Sequence, residues 1–177
     1  MSAISEAPVS ALATAHTTIG SSLGDLTVVT REGAVTGLYF PHHWHRPDPG
    51  GFGRYREEGF DDIREQLGQY LSGARRDFDV PVDAVGSPHQ RRVWDLITRV
   101  PYGETVSYGE LARELGGGIT PREVGATVGL NPVSILIPCH RVVGASGALT
   151  GYAGGLRRKR ALLDLEQQVT GRSVRLF

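Results

Sequence analysis

Ser107-Tyr-Gly-Glu-Leu-Ala-Arg-Glu-Leu-Gly-Gly-Gly-Ile-Thr-Pro-Arg-Glu-Val-Gly-Ala-Thr-Val-Gly-Leu-Asn-Pro132 contains two helix starts, a turn and a stop. Ser107-x-x-Glu110 and Thr120-x-x-Glu123 are capping boxes. In each, the hydroxyl accepts from the amide three residues on, and the carboxylate reaches back to the cap's own amide. Pro121 suits a first helical turn, where its missing N–H is not needed. Leu111, Ala112 and Leu115 fall at helical spacing behind the first box. Gly116-Gly-Gly118 makes a tight turn, and Asn131-Pro132 stops the second helix at about Leu130. Two short capped helices across a glycine turn form a helix-turn-helix pattern. Helical hairpins are also ordinary core architecture, so the pattern by itself does not establish DNA binding.

Upstream, Ser87-Pro88 supplies an N-cap and a first-turn proline for a helix through Val93, Trp94, Leu96, Ile97 and Val100, ended by Pro101-Tyr-Gly103. Before that the texture changes. Leu26–Thr30 and Val35–Phe40 are β-rich runs separated by Arg31-Glu-Gly-Ala34, a hairpin signal. Residues 41–53 are rich in Pro, Gly and His and read as loop, and Ile63, Leu67, Tyr70 and Leu71 mark a helix from Phe60 to about Gly73. Phe78–Val82 reads as a short edge strand, because Pro81 cannot donate to a central ladder. Met1–Thr18 carries Glu6 and no basic cluster before an apolar core. It reads as a frayed leader and not as a signal peptide. The expected architecture is an α/β N-terminal domain (1–85) that serves as scaffold, plus a mainly α-helical C-terminal domain (86–177) containing a helix-turn-helix. The boundary falls at Val85-Gly86.

The 177 residues suit one large or two small domains, and 40% apolar with 21% charged residues is ordinary for a globular chain. No apolar run approaches the roughly 20 residues that span a bilayer. One cysteine excludes an internal disulfide and a cysteine-based zinc cage, so a reducing, cytoplasmic setting is expected. The zero net charge hides an asymmetry. Residues 1–85 hold seven Arg against twelve acidic residues, and 86–177 hold twelve basic against seven acidic. The resulting −5 and +5 suggest that the C-terminal half meets a polyanion, although an imbalance of this size also arises by chance.

Ile135-Leu-Ile-Pro-Cys-His-Arg-Val-Val143 is the most chemically distinctive segment. A lone cysteine is more often a small buried hydrophobe than a nucleophile, and burial beside this apolar run makes a thiol inert unless a base assists. His140 is the candidate base for Cys139, with Glu166 on the last helix as orienting carboxylate. On an extended backbone, adjacent side chains point to opposite faces. A bridging water would then carry the proton.

Asn131-Pro132, Ile135–Val142, Gly147, Leu149-Thr-Gly-Tyr152 and Gly154-Gly155 together resemble the signature of the O6-alkylguanine-DNA alkyltransferases, strongly over residues 86–168 and more generally before them. The resemblance implies that Cys139 accepts the alkyl group, and that His140 and Glu166 belong to a Cys–water–His–Glu relay. It implies that Asn131 ties the recognition helix to the active-site segment, and that Tyr108 assists the departing guanine. Arg122 matches a finger inserted where the base has been flipped out, on a DNA-facing helix that includes Thr120 and Gly129. Cys139 and Val142 match backbone acceptors for the guanine amino group, Tyr152 and Ala153 the opposite wall, and Ser134 a pocket position.

The base flipping has a physical rationale. A stacked, paired guanine shields its O6 substituent, so the base must leave the helix at a few kcal/mol. The bland readings are a solvated Arg122, a first-turn packing Tyr108 and a solvated Glu166. The pattern departs from many relatives at His89 (aromatic in many), Gly129 (basic in some) and Ser134 (proline in some). His42, His43 and His45 form a weak metal signal and read as loop histidines. The implied activity is stoichiometric and irreversible transfer from O6-alkylguanine, or O4-alkylthymine, in double-stranded DNA, with no cofactor and no metal. The protein is expected to act as a monomer, alone or cooperatively along the duplex, and not at a membrane. Two alternatives stand beside it. A lesion binder without chemistry would lack Cys139, and a cysteine hydrolase on Cys139, His140 and Glu166 would need an oxyanion hole and turnover.

Overall fold

The computed structural model describes residues 13–172. Its first part is a four-stranded sheet of β1 (Ala15–Ile19), β2 (Leu26–Arg31), β3 (Ala34–Tyr39) and β4 (Arg54–Tyr55), in the order β3-β2-β1-β4. β1, β2 and β3 pair antiparallel, and β4 runs parallel to β1. The expected hairpin forms, and its turn residues Glu32 and Gly33 have φ of 53° and 81°. Two positive φ values give a turn whose twist matches the strands it joins. The helix α1 (Asp61–Leu71) lays Ile63, Leu67 and Tyr70 into the core.

Two expectations need correction here. The leader does not stay frayed to residue 18, because Ala15–Ile19 is an inner strand paired residue by residue with β2. Its buried Ala15, Thr17 and Ile19 carry the period-2 pattern of a half-buried strand; residues 1–12 of that leader lie outside the described residues. Phe78–Val82 shrinks to one bridge between Val82 and Val35, in which Val35 N–H donates to the Pro81 carbonyl at 2.8 Å. Proline can accept at a sheet edge but cannot continue the ladder.

The second part is mainly helical: α2 (Pro88–Thr98), α3 (Tyr108–Leu115), α4 (Pro121–Gly129) and α5 (Leu156–Thr170), with a parallel pair β5 (Val106–Ser107) and β6 (Val142–Val143). The three expected N-caps all form, each as a complete capping box. Gly116, Gly117 and Gly118 take φ of 68°, 68° and 76°, which residues with a side chain rarely adopt. The chain therefore reverses between α3 and α4, and Leu111, Ala112 and Leu115 bury against the same core as Val124 and Val128. The Trp94 indole donates to the Thr127 carbonyl at 3.1 Å and ties α2 to α4.

One hydrophobic core serves both parts, joining Leu38, Phe40 and Tyr70 to Trp94, Val133, Tyr152 and Leu162. Leu38 N–H donates to the Pro132 carbonyl at 2.8 Å, and Leu38 bridges Val133. The outer edge of β3 is thus covered at Val35 and at Leu38, which removes the exposed template that an open edge presents.

Candidate active site

Asn131 closes α4 and folds the following loop onto itself. Its Oδ1 accepts from Val133 N at 2.9 Å, and its Nδ2 donates to the Ile137 carbonyl at 3.0 Å and to Cys139 Sγ at 3.1 Å. Inside this loop, buried Ile135 has φ of 72°. A β-branched residue there stores about 1–3 kcal/mol of strain, of the kind that persists where the surroundings over-determine the backbone. Cys139–Arg141 then forms a single 3-10 turn and not an extended segment. Cys139 faces a cavity and His140 the interior, so the two side chains diverge around a turn.

Cys139 is 3% exposed. Burial raises its thiol pKa, opposed by the Asn131 hydrogen bond and the positive charge of Lys159. His140 and Glu166 are both 0% exposed, with His140 Nε2 2.7 Å from Glu166 Oε1. Glu166 is not the solvated carboxylate of the bland reading. Burial by itself would raise its pKa, but the hydrogen bonds and charges of His140 and Arg141 hold it well below the usual carboxylate range. Burial lowers the pKa of His140 in spite of Glu166. The pair at neutral pH is therefore a neutral imidazole and a carboxylate. Glu166 can only accept, so the imidazole proton sits on Nε2 and the free lone pair on Nδ1. Nδ1 is buried and makes no hydrogen bond among the described residues. It is the ring atom left free to take a proton.

The cavity over Cys139 measures about 220 Å³ and is lined by Tyr108, Gly125, Gly129, Tyr152, Ala153 and Trp44, among others. Tyr108 opens α3 with its hydroxyl 3.4 Å from the Thr150 carbonyl, and burial raises its pKa. Of the residues expected at the site, Cys139, Tyr108, Tyr152, Ala153 and Gly129 line this cavity. Asn131 contacts the sulfur, and the His140–Glu166 pair lies buried outside the cavity lining. Val142 and Ser134 are fully enclosed and do not reach the cavity wall. Arg122 is exposed on the first turn of α4. Thr120 spends its hydroxyl on the capping box, donating to Glu123 Oε2 at 2.7 Å. His42, His43 and His45 do not converge: His43 is buried and accepts from Phe40 N, while the other two are exposed with φ of 56°. Among the described residues no three His, Cys, Asp or Glu side chains are placed to hold a metal ion, and no helix is long and apolar enough to cross a membrane.

Several site residues escape a reading of the sequence. Arg141 grips Glu166 through Nε and Nη2 at 2.9–3.1 Å and donates through Nη1 to the Val100 carbonyl at 2.7 Å. Lys159 is fully buried, with Nζ on the Thr150 and Gly151 carbonyls, and burial lowers its pKa to about 8. In sequence it is one charge in Arg157-Arg-Lys-Arg160, which nothing separates from a solvated face. Tyr70 of α1 donates to Glu166 Oε1. Trp44 is 68% exposed at the cavity mouth, and its backbone N–H donates to the Ala153 carbonyl at 2.9 Å. Tyr70 and Trp44 come from the first half of the chain, where no motif points to chemistry.

Comparison with known proteins agrees with this geometry along nearly the whole length. Residues 88–168 match the family model of the 6-O-methylguanine DNA methyltransferase DNA-binding domain, and residues 15–84 that of its ribonuclease-like domain. The methylated-DNA–protein-cysteine methyltransferase of Mycolicibacterium paratuberculosis is 43% identical, over 92% of this chain and 98% of that protein. The inducible enzyme of that name in Bacillus subtilis is 46% identical over 59% of each. The crystal structure of Mycobacterium tuberculosis OGT in complex with DNA superposes with a TM-score of 0.81 at 40% identity, covering 88% of this chain and 94% of that one. The likeness thus extends through the sheet domain, beyond the segment whose motifs are legible. This chain belongs to the 6-O-methylguanine DNA methyltransferase family.

Proposed function

We propose that this protein repairs DNA by moving a methyl or larger alkyl group from O6 of guanine, or O4 of thymine, to Sγ of Cys139, once per molecule. The observation that carries the reading is Cys139 Sγ at a cavity shared with Tyr108, with Asn131 on the sulfur and His140–Glu166 behind it. Cys139 passes its proton through a water to His140 Nδ1. The thiolate attacks the alkyl carbon, the S–C bond forms, and the C–O bond breaks with its electron pair on O6. Asn131 Nδ2 stabilises the thiolate, and the Tyr108 hydroxyl hydrogen-bonds the departing base as charge develops. The proton given up by Cys139 balances the one that the released guanine takes on. A thioether offers no route back to the thiol, so the protein is consumed.

α4 delivers the substrate. Arg122 fills the gap left by the flipped base, Thr120 caps the end whose amides favour phosphate, and Gly129 keeps the helix face open. Tyr152 and Ala153 wall the pocket, with Val142 and Ser134 shaping it from behind. Residues 1–85 are the scaffold domain and 86–177 the transferring domain. The partner is duplex DNA carrying the lesion, met by a monomer alone or cooperatively in a reducing cytoplasm, without metal or organic cofactor.

Intact-protein mass spectrometry after incubation with a methylated duplex tests this. The expected result is a gain of one methyl group per molecule, mapped to Cys139, with a plateau at one equivalent and no gain in Cys139→Ala. Methyl transfer to Cys139→Ala, or repeated turnover with excess substrate, overturns the reading.

A further inference from the structure

The His140–Glu166 pair has a partner from the other domain. Tyr70, at the end of α1, is fully buried; its hydroxyl donates to Glu166 Oε1 and lies 3.3 Å from His140 Nε2. Four donors therefore converge on one carboxylate: the Tyr70 hydroxyl, His140 Nε2, the Arg141 guanidinium and the Gly103 amide at 3.0 Å. Gly103 and Arg141 belong to the helical domain. Tyr70 alone reaches in from the sheet domain, held by Phe78 and Tyr102 against its ring. Burial, and then the neighbouring carboxylate, raise its pKa well above the ordinary tyrosine value, so it remains a donor at any working pH.

We propose that Tyr70 is a positioning residue for the alkyl transfer, supplied by the sheet domain to orient Glu166 and, through it, His140. The proposal rests on the relay given under the proposed function. By donating to Glu166, Tyr70 spreads the carboxylate charge and tempers how strongly it stabilises an imidazolium. His140 is thus kept neutral, with Nδ1 free, in the range where the thiol must be deprotonated. The other groups facing the pair are Arg141 and Lys159, which oppose protonation of His140, and Tyr102, which faces Glu166. All of these stay in place in Tyr70→Phe, which removes a single hydroxyl.

The test is the pH profile of two rates: alkylation of Cys139 by iodoacetamide, and single-turnover transfer from a methylated duplex. In Tyr70→Phe more of the Glu166 charge faces His140, the imidazolium is favoured, and the acid limb of both profiles should move up by about half a pH unit. Both rates should fall several-fold below neutral pH. Replacing Tyr70 by a ring-fluorinated tyrosine strengthens the donor, so the limb should move down; this arm decides the matter if Tyr70→Phe fails to fold. A Tyr70→Phe profile that superposes on the unsubstituted one, or a fluorinated variant whose limb does not move, overturns the proposal. His140→Ala separates the two levels. If it abolishes the acid limb while Tyr70→Phe leaves it in place, only the inference about Tyr70 fails; if it retains the limb, the relay itself fails.

Discussion

A thiol as enclosed as Cys139 is a poor acid, and everything around it bears on that difficulty. Asn131 donates to the sulfur, Lys159 adds a buried positive charge, and in the proposed relay His140 is the base, its proton held on Nε2 by Glu166. Tyr108 shares the Thr150 carbonyl with Lys159 but stands on the cavity side, where a departing base would lie. The division predicts different phenotypes. His140→Ala should slow both alkylation of Cys139 by a small probe and transfer from DNA, each by about a hundredfold, the usual worth of a positioned base. Tyr108→Phe should leave probe alkylation within about twofold while slowing transfer from alkylguanine at least tenfold, since only the latter has a leaving group to stabilise. Measuring both rates in both variants checks the ordering. Equal suppression of probe alkylation by the two substitutions would contradict it.

At the scale of elements, α3, the glycine turn and α4 form one unit capped at both helix starts. Each helix start is closed by a capping box worth about 1 kcal/mol, and Trp94 fixes the far end of α4 through the Thr127 carbonyl. This leaves Arg122 exposed on a first turn that needs no further support from it. Arg122→Ala should therefore fold normally. It should slow repair in duplex DNA by about tenfold or more, because a side chain that fills the gap offsets part of the few kcal/mol of unstacking. Transfer from the free base O6-benzylguanine should change little, since nothing has to be extruded. Single-turnover rates on the two substrates provide the check, and equal losses would place Arg122 in the pocket or the fold. Phosphate contacts along this unit should also make duplex binding weaken as salt rises.

At the scale of the whole molecule, the active site depends on the seam between the two domains. Arg158 of α5 donates across it to the Leu23 and Pro41 carbonyls and back to the Gly154 carbonyl. Gly154 sits against Phe40 so closely that a Cβ would lie 2.4 Å from the ring. Phe40 is fully buried and cannot retreat freely. Gly154→Ala should cost about 1–3 kcal/mol of stability in urea unfolding, the usual penalty of overpacking. It should also slow transfer, because Tyr152 and Ala153 next to it wall the cavity. A variant as stable as the parent would mean that the seam is looser than the contact distances imply.

What could be read from the chain alone was whatever is encoded locally. Ser87, Ser107 and Thr120, with an acceptor three residues on, determine their helix starts because a capping box involves only neighbours in sequence. Glu32-Gly33 determines its hairpin for the same reason. Pro138-Cys-His-Arg-Val142 and Asn131-Pro132 were legible as one site because they lie within a dozen residues of each other and resemble a known signature. The β1 strand is hard to see in the sequence because a few alternating residues beside a polar leader are a weak signal until β2 pairs with them. Phe78–Val82 looks more strand-like in sequence than it is in the fold, since an apolar run with a proline has β character but no way to continue a ladder. The rest belongs to the tertiary structure. Glu166 reads as a solvated helix carboxylate until Arg141, Gly103 and Tyr70 surround it, and Lys159 reads as surface charge until α5 turns it inward. Tyr70 and Trp44 reach the site from positions far away in sequence, and burial, proton placement and charge depend on distances in space. Local sequence settles caps, turns and the identity of the nucleophile; the reactivity of that nucleophile is set by groups that only folding brings together.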